Sequence, residues 1–232
     1  MEKVNFDDYL EDYDQLLNCN LKHHAGFFDE DSRYFAEHKI RIVKEMTNFE
    51  PKRILEYGCG IGKNIEYLLK YFADTEVYGM DIARKCLEHA ALKYPFAKFG
   101  LCDEFNGAQK FDIIIASGVF HHINPEQREA TVKKISALLA DRGLVYIFEH
   151  NPYNPITRRL VNQCPYDADA KLLKMAETIH LFAHNGFEVD KKQYIIFFPK
   201  IFNFLRPLES KICFVPLGGQ YFVRARKIAN RV

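Results

Sequence analysis

The sequence RILEYGCGIGKNIEYLLKYFADTEVYGMDI, residues 53–82, decides the fold. It begins with a short apolar run at Ile54 and Leu55, which is then interrupted by Gly58, Gly60 and Gly62. Apolar residues next recur at helical spacing, and a second apolar run, 77–80, stops at Asp81. This order predicts a buried strand, a glycine loop, an amphipathic helix and a second strand that ends in an acid. Together they make one βαβ unit.

Two other glycine-loop motifs fail on spacing. A phosphate-binding P-loop requires Gly, four residues and then Gly-Lys-Ser/Thr. Here Tyr57 stands at the first glycine position and Asn64 stands where the hydroxyl belongs. The dinucleotide motif Gly-x-Gly-x-x-Gly fails as well, because Lys63 occupies its third glycine position. An ordinary glycine turn in an α/β protein, with no ligand, is the alternative that stays open.

The remaining pattern is Glu56-x-Gly58-x-Gly60-x-Gly62, with Asp81 at the end of the next strand. It resembles motif I and the acidic motif II of class I S-adenosylmethionine-dependent methyltransferases. The resemblance implies that small residues let the main chain approach the cofactor, that Asp81 accepts hydrogen bonds from the ribose hydroxyls, and that Glu56 orders the loop near the methionine end. The cofactor residues implied in this unit are Glu56, Gly58, Cys59, Gly60, Gly62, Asp81 and Ile82.

A third strand, predicted at about 98–102, delivers Asp103, Glu104 and Phe105. These resemble the family's next cofactor motif, in which an acid accepts from the adenine amine and the following main chain reaches the adenine ring. A surface acid after a strand is the alternative interpretation.

The apolar run 111–116 has the composition of a central parallel strand that is covered on both faces. Ligands in open α/β sheets bind beyond the carboxyl ends of the strands, so the residues after it are expected at the reaction centre. By the resemblance, Ser117 faces the cofactor. His121 and His122 are the candidate general bases, although one ring of such a pair can instead be structural. Methyl transfer needs a base only when the acceptor must lose a proton, and positioning can supply most of the rate.

Metal binding is not expected. Adjacent histidines do not point the same way on a helix or a strand, and no His-x-Glu or His-x₃-His spacing accompanies His121 and His122.

Segments outside the core are expected to cover the acceptor side. Residues 1–50 are predicted to form an arm and a cap helix, and residues 51–232 a methyltransferase domain with insertions at about 151–172 and 197–217. We interpret the connection 154–170 as a long loop. The candidate acceptor-binding residues are Tyr13, Tyr34, His150, Tyr153, Arg158 and Arg206. For the charged members of this set, the alternative is a solvated position on the surface.

Composition limits the class of protein. The chain has 232 residues, 48% apolar and 27% charged residues, and a formal net charge of +1, so a dedicated nucleic-acid surface is not expected. Its six cysteines are scattered without a Cys-x-x-Cys pair, which is typical of reduced thiols in the cytoplasm. Neither a signal peptide nor a membrane span is predicted. A monomer or homodimer is expected.

These observations predict an α/β fold: a Rossmann-like three-layer sandwich with a seven-stranded, mostly parallel sheet, an antiparallel last strand and an N-terminal helical cap. The resemblance implies transfer of a methyl group from S-adenosylmethionine, leaving S-adenosylhomocysteine, to a small polar acceptor such as a metabolite, a nucleotide sugar or a surface-glycan precursor. Three alternatives remain: an RNA or protein methyltransferase, a nicotinamide-dependent oxidoreductase, and a non-catalytic cofactor-binding subunit.

Overall fold

A seven-stranded mixed sheet forms the centre of the molecule. The computed structural model describes residues 4, 7, 29–198 and 200–228. Strand order is β3-β2-β1-β4-β5-β7-β6, and β7 runs antiparallel to both of its neighbours. The strands are β1 Arg53–Tyr57, β2 Glu76–Asp81, β3 Lys98–Leu101, β4 Phe111–Ser117, β5 Leu139–His150, β6 Phe187–Ile195 and β7 Gln220–Lys227. The predicted fold class is confirmed, including the antiparallel last strand.

Helices cover both faces of the sheet. They are α1 Asp29–Met46, α2 Ile65–Tyr71, α3 Arg84–Lys93, α4 Pro125–Leu138, α5 Pro155–Gln163, α6 Met175–His184 and α7 Glu209–Ile212. Short 3₁₀ segments at Phe120–His122, Pro165–Asp167 and Lys200–Leu208 lie in the connections. No helix among the described residues is both long and apolar enough to cross a bilayer.

The alternating residues of the central strands build two apolar cores. Ile113 and Ile115 of β4 belong to the core that contains residues of α1 and α2. Ile114 and Ala116, on the opposite face, belong to the core that contains residues of α4 and α6. All four side chains are fully buried, as expected for a strand covered on both faces. The three layers therefore follow from the apolar run in the sequence.

The long connection after β5 is not a loop, and that prediction was wrong. Residues 155–163 form α5, and the side chain of Asn154 accepts from the main-chain N–H of Thr157 to cap its first turn. Pro155 follows at the first helical position, where a missing N–H is harmless. Asp141, Arg142 and Gly143, a sequence typical of a turn, also lie inside β5. The proposed boundary at residue 50 stays a prediction.

Candidate active site

One cavity of about 770 Å³ lies beyond the carboxyl ends of the parallel strands. The glycine loop after β1 lines one part of it, and the segment after β4 lines another. Side chains from α1, α5 and the end of β6 complete its wall, including Lys39, Leu160 and Ile196. This volume falls in the range of small-molecule sites, and the location is the one expected for a ligand of an open α/β sheet.

The three loop glycines have different structural roles. All three have positive φ, a region that L side chains rarely adopt. A Cβ on Gly58 would meet Val119 Cγ2 at 2.6 Å, and one on Gly62 would meet the Tyr94 ring at 3.0 Å. Around Gly60 nothing lies within 4 Å of that position. Gly58 and Gly60 line the cavity. Gly62 does not line it and packs against Tyr94 and Ala90, so its predicted cofactor contact stays a prediction.

Asp81 fastens the loop to the end of β2. Its Oδ2 accepts from the N–H of Gly60 at 2.7 Å. Oδ1 accepts from the N–H groups of Ile82 and Ala83 at 2.7 and 3.0 Å. Burial raises the pKa of Asp81, and these hydrogen bonds oppose that shift. Both Asp81 and Ile82 line the cavity, as predicted for cofactor residues.

A second buried carboxyl group, Glu56, lies beside the loop. Its Oε1 accepts from Asn64 Nδ2 at 2.5 Å. Oε2 has no hydrogen-bond partner within the described part of the chain. Burial raises the pKa of Glu56 to about 8, against the effects of Asn64 and Lys39. An orphaned buried oxygen at a cavity wall is costly unless a ligand satisfies it.

Lys39 reaches the same region from α1. Its Nζ donates to Ser117 Oγ at 2.6 Å and so joins the cap helix to the end of β4. Burial lowers the pKa of Lys39 to about 8. Two ionisable groups of opposite sign, Glu56 and Lys39, therefore line one end of the cavity. The donor set fits the zwitterionic methionine end of S-adenosylmethionine, since Glu56 can accept from an ammonium group and Lys39 can donate to a carboxylate.

A cluster of histidines and carboxylates lies where β4 and β5 end. His121 Nδ1 is 2.6 Å from Glu149 Oε2, and His122 Nδ1 is 3.3 Å from Asp169 Oδ1. The Nε2 atoms of both histidines approach a single oxygen, Asp167 Oδ1, at 3.3 and 3.4 Å. The ring of His150 lies 5.1 Å from that of His121, centroid to centroid.

The premise that adjacent histidines diverge is wrong for this pair. The centroids of the His121 and His122 rings are 4.1 Å apart. The two residues lie in a 3₁₀ turn, Phe120–His122, and not in an α-helix or a strand. Asp167, from the segment after α5, approaches both rings from the same side.

Burial and charge shift the pKa values of this cluster in different directions. Burial disfavours the charged form of His121, but the Glu149 and Asp167 carboxylates outweigh it and raise the His121 pKa to about 10. Burial and the nearby positive His121 lower the pKa of His122. The same two causes lower the pKa of His150 to about 4. Of the adjacent pair, His122 is therefore the one whose neutral form is favoured, whereas the protonated form of His121 is favoured.

Several predicted site residues lie away from the cavity. Asp103 and Glu104 are exposed. Glu104 Oε2 accepts from the N–H of Leu101, and Glu104 and Phe105 line a separate, smaller cavity. At this position Cys102 lines the large cavity instead. A tight turn follows β3 at once, because the N–H of Glu104 donates to the carbonyl of Leu101 at 3.0 Å.

The predicted acceptor residues divide in the same way. His150 lines the cavity, whereas Tyr153 and Arg158 are exposed and do not line it. Arg206 stacks its guanidinium 3.4 Å from the Tyr34 ring centroid, so these two residues connect α1 to the 200–208 segment outside the cavity wall. Tyr13 lies outside the described residues.

Three residues that the sequence interpretation did not assign complete the site. Asp167 and Glu149 hold the histidines, and Asn64 holds Glu56. Glu149 had a positional signal, because it is an acid at the carboxyl end of β5, one residue before the last, as Asp81 is an acid at the end of β2. Asp167 had none, since its connection was interpreted as a loop.

Comparisons with known proteins agree with this architecture. An uncharacterized methyltransferase of Bacillus cytotoxicus is 27% identical over 147 residues, which cover 60% of this chain. The aligned part spans 63% of that relative's length. A methyltransferase structure from Archaeoglobus fulgidus superposes with a TM-score of 0.65 at 18% identity, covering 84% of this chain and 94% of the other. For a TehB-like methyltransferase from Corynebacterium glutamicum the TM-score is 0.60 at 19% identity, covering 83% and 88%.

The fold is that of the class I S-adenosylmethionine-dependent methyltransferases. Residues 28–192 match the family described as a methyltransferase domain, and the chain belongs to that family.

Proposed function

We propose that this protein transfers a methyl group from S-adenosylmethionine to a small polar acceptor, such as a metabolite, a nucleotide sugar or a surface-glycan precursor. The observation that carries the proposal is a single cavity that joins the Gly60–Asp81 loop to the polar cluster around His122. The cofactor supplies a methyl group on a positively charged sulfur. No disulfide links the described cysteines, Cys59, Cys86, Cys102, Cys164 and Cys213, which supports action in the reducing cytoplasm. The protein would act as a monomer or homodimer.

Positioning is the main catalytic contribution in this proposal. The leaving thioether is neutral, so an acceptor atom held in line with the methyl carbon needs little further help. Asp81 and Glu56 would hold the cofactor at its ribose and ammonium ends. The polar side chains at the other end, including His122 and His150, would orient the acceptor. His122 is the better candidate for a base, because the proton on His121 is held between two carboxylates.

The cover over part of the cavity supports a small acceptor over RNA or a protein. Residues of α1, α5 and the segment after β6 cover the acceptor side. A macromolecular substrate would need an open and basic approach to the methyl group.

The first experiment tests the cofactor. S-Adenosylhomocysteine at about 100 times its Kd should stabilise the protein by about 2.7 kcal/mol, which raises Tm by roughly 5–10 °C for a chain of this size. NAD should leave Tm unchanged. Asp81→Asn should lose most of the S-adenosylhomocysteine shift, because the ribose hydroxyls lose a charged acceptor. A shift with NAD in place of S-adenosylhomocysteine would contradict the proposal.

The second experiment tests the acceptor. S-Adenosylmethionine with a deuterated methyl group is incubated with the protein and the small-molecule fraction of a lysate, and mass spectrometry detects the labelled product. Label that enters only added RNA or protein would favour the macromolecular alternative. Binding of the cofactor with no label in any fraction would favour a non-catalytic subunit.

A further inference from the structure

The histidine cluster has the layout of a metal site. One ring nitrogen of His121, one of His122 and a carboxylate oxygen of Asp167 lie within 4.8 Å of one another, and the Nε2 atoms are the ones that approach Asp167 Oδ1. All three residues line the large cavity. Each histidine also has a carboxylate of its own at Nδ1, Glu149 for His121 and Asp169 for His122. Metal-binding histidines characteristically donate their second ring N–H to a carboxylate in this way.

Hydrogen bonding fixes which ring nitrogen faces the cluster. Glu149 already accepts from the N–H groups of Val119 and Phe120 at 3.0 and 2.7 Å, which are bonds to an ionised carboxylate. It therefore accepts from His121 Nδ1 too, and in a neutral imidazole the lone pair is then at Nε2. Asp169 does the same for His122, and its other oxygen accepts from the N–H of Val4.

Three lone-pair atoms therefore converge on one point of the cavity wall. Two imidazole nitrogens that face the same carboxylate oxygen repel it and each other unless a cation lies among them. Glu149, Asp167 and Asp169 also concentrate negative charge around the two rings. The cation is either one proton, on His121, or a metal ion.

Distances favour a tetrahedral ion. The Nε2–Oδ1 separations of 3.3 and 3.4 Å match the roughly 3.4 Å edge of a tetrahedron with metal–ligand bonds of about 2.0–2.1 Å. Two histidines and one carboxylate leave a fourth position open, as in catalytic zinc sites. Imidazole ligands suit first-row transition metals, whereas magnesium and calcium prefer oxygen ligands alone.

We propose that His121, His122 and Asp167 bind a divalent first-row transition metal ion, with zinc as the reference, and that the ion's open position receives an oxygen of the methyl acceptor. Glu149 and Asp169 are positioning residues that orient the two rings. His122 is then a metal ligand, and the acceptor is deprotonated through the metal instead of by a histidine base.

The choice of acceptor rests on the proposed function, whereas metal binding does not. A hydroxyl or phenol bound to the ion would release its proton to water. Its oxygen then forms a bond to the methyl carbon as the carbon–sulfur bond breaks, and the electron pair of that bond stays on sulfur. The acceptor loses one proton to water and gains one methyl group from the cofactor, so no oxidant or reductant is needed.

The test is a calorimetric titration of the full, metal-free chain with Zn²⁺ alone. We expect one zinc per chain. His122→Ala and Asp167→Asn should each weaken binding by more than about 100-fold, and Asp169→Ala by about 10- to 100-fold, as for other residues that orient metal ligands. The matched control is the double variant His180→Ala and His184→Ala. It removes a stacked histidine pair on α6 whose ring centroids are 6.0 Å apart. It should leave the stoichiometry and affinity unchanged.

Binding of S-adenosylhomocysteine to each variant shows whether it has folded. Absence of zinc binding in a wild-type chain that binds S-adenosylhomocysteine would overturn the metal site and leave the proposed function standing. Zinc binding unchanged by both His122→Ala and Asp167→Asn would also overturn it. Zinc binding without any S-adenosylhomocysteine binding would instead contradict the proposed function. In the deuterated-methyl screen, a product that is methylated on nitrogen and forms without zinc would overturn the proposal that an acceptor oxygen binds the ion.

Discussion

At the scale of the residue, Gly60 and Gly186 share a backbone conformation but not a location. Gly60 has φ +50° and Gly186 has φ +82°, and a Cβ on either would meet nothing within 4 Å. Gly60 lines the cavity between Asp81 and the end of β1, whereas Gly186 follows the last residues of α6 and begins the turn into β6. An alanine at either position strains the backbone, but only an alanine at residue 60 also places a methyl group in the cavity. Comparing the two variants therefore separates backbone strain from exclusion of the ligand.

We expect Gly60→Ala to lower the affinity for S-adenosylhomocysteine at least about 10-fold, because the new methyl group enters the cofactor space. Both alanine variants should lose about 1–2 kcal/mol of unfolding free energy, the usual penalty of a left-handed L residue. Denaturant titration and calorimetry give the two quantities. Equal ligand affinity in Gly60→Ala and Gly186→Ala would contradict the placement of the cofactor at this loop.

His38 should make the folded state sensitive to acid. Burial, together with the charges of Arg41, Arg206 and Lys39, lowers its pKa to about 4, and its ring stacks on that of Tyr34 at 5.4 Å. The unfolded chain binds a proton near pH 6.5, so between pH 6.5 and 4 only the unfolded state is protonated at His38. As far as His38 is concerned, the free energy of unfolding is therefore highest above pH 6.5 and falls as the pH drops from 6.5 to 4.

The variant His38→Gln removes this titration. Because His38 is only partly buried, we expect the wild type to lose about 2 kcal/mol relative to the variant between pH 6.5 and 4. Urea denaturation at several pH values measures the difference. If the unfolding free energies of the wild type and His38→Gln change with pH in parallel, His38 does not contribute to the acid sensitivity.

Individual residues were predictable where a backbone requirement sets the residue type. The spacing of Gly58 and Gly60 and the acid at Asp81 follow from the need for a bare loop tied to the neighbouring strand. The packing role of Gly62 was not predictable, because it depends on the Tyr94 ring from another element. The convergence of His121 and His122 depends likewise on Asp167, which is distant in sequence.

At the scale of the element, α5 offers a test of how the cavity wall is built. The Asn154 side chain accepts from the N–H of Thr157 at 3.0 Å and donates to the carbonyl of Leu217 at 2.6 Å. Asn154→Ala should lower the unfolding free energy by about 1–2 kcal/mol, the range for a lost N-cap with one further hydrogen bond. Thermal unfolding should show Tm lower by roughly 2–8 °C.

Asn124 is the matched control, because it also precedes a proline at the start of a helix. Its side chain makes no capping hydrogen bond to α4, so Asn124→Ala should change the unfolding free energy by no more than about 0.5 kcal/mol. A similar loss of unfolding free energy in both variants would show that the capping hydrogen bond of Asn154 does not stabilise the protein.

The elements of the sheet were predictable because each central strand is a continuous apolar run. Helix α5 was missed even though Asn154-Pro155 is a helix-start signal, because its polar sequence has no long apolar run. Its buried residues are Thr157 and Val161, and the Thr157 hydroxyl donates to the carbonyl of Gly219, just before β7, at 2.9 Å. The site residues that α5 and the following segment bring in were missed for the same reason.

At the scale of the whole molecule, Arg224 connects the two ends of the described chain. Its guanidinium makes two bonds to the Asp190 carboxylate, at 2.8 and 2.7 Å, and donates to the carbonyl of Met46 at the end of α1. Arg224→Met should lower the unfolding free energy by about 1–3 kcal/mol, because Asp190 and that carbonyl lose their charged partner while partly buried.

Arg226, two positions along the same strand, is the control. It pairs with Glu188 at 3.0 Å, but more than half of each side chain is exposed. Arg226→Met should therefore change the unfolding free energy by less than about 1 kcal/mol. Equal losses in the two variants, measured by urea denaturation, would contradict the role of Arg224 in holding α1 to the sheet.

The position of β7 has a consequence for synthesis on the ribosome. Although it is the last strand among the described residues, it lies between β5 and β6 and pairs with both. A nascent chain that has extruded β6 still lacks the strand that must fill this gap, so two unpaired strand edges face solvent. Such edges bind other polypeptides, and a message truncated before Gln220 would therefore yield an aggregation-prone product in need of chaperones.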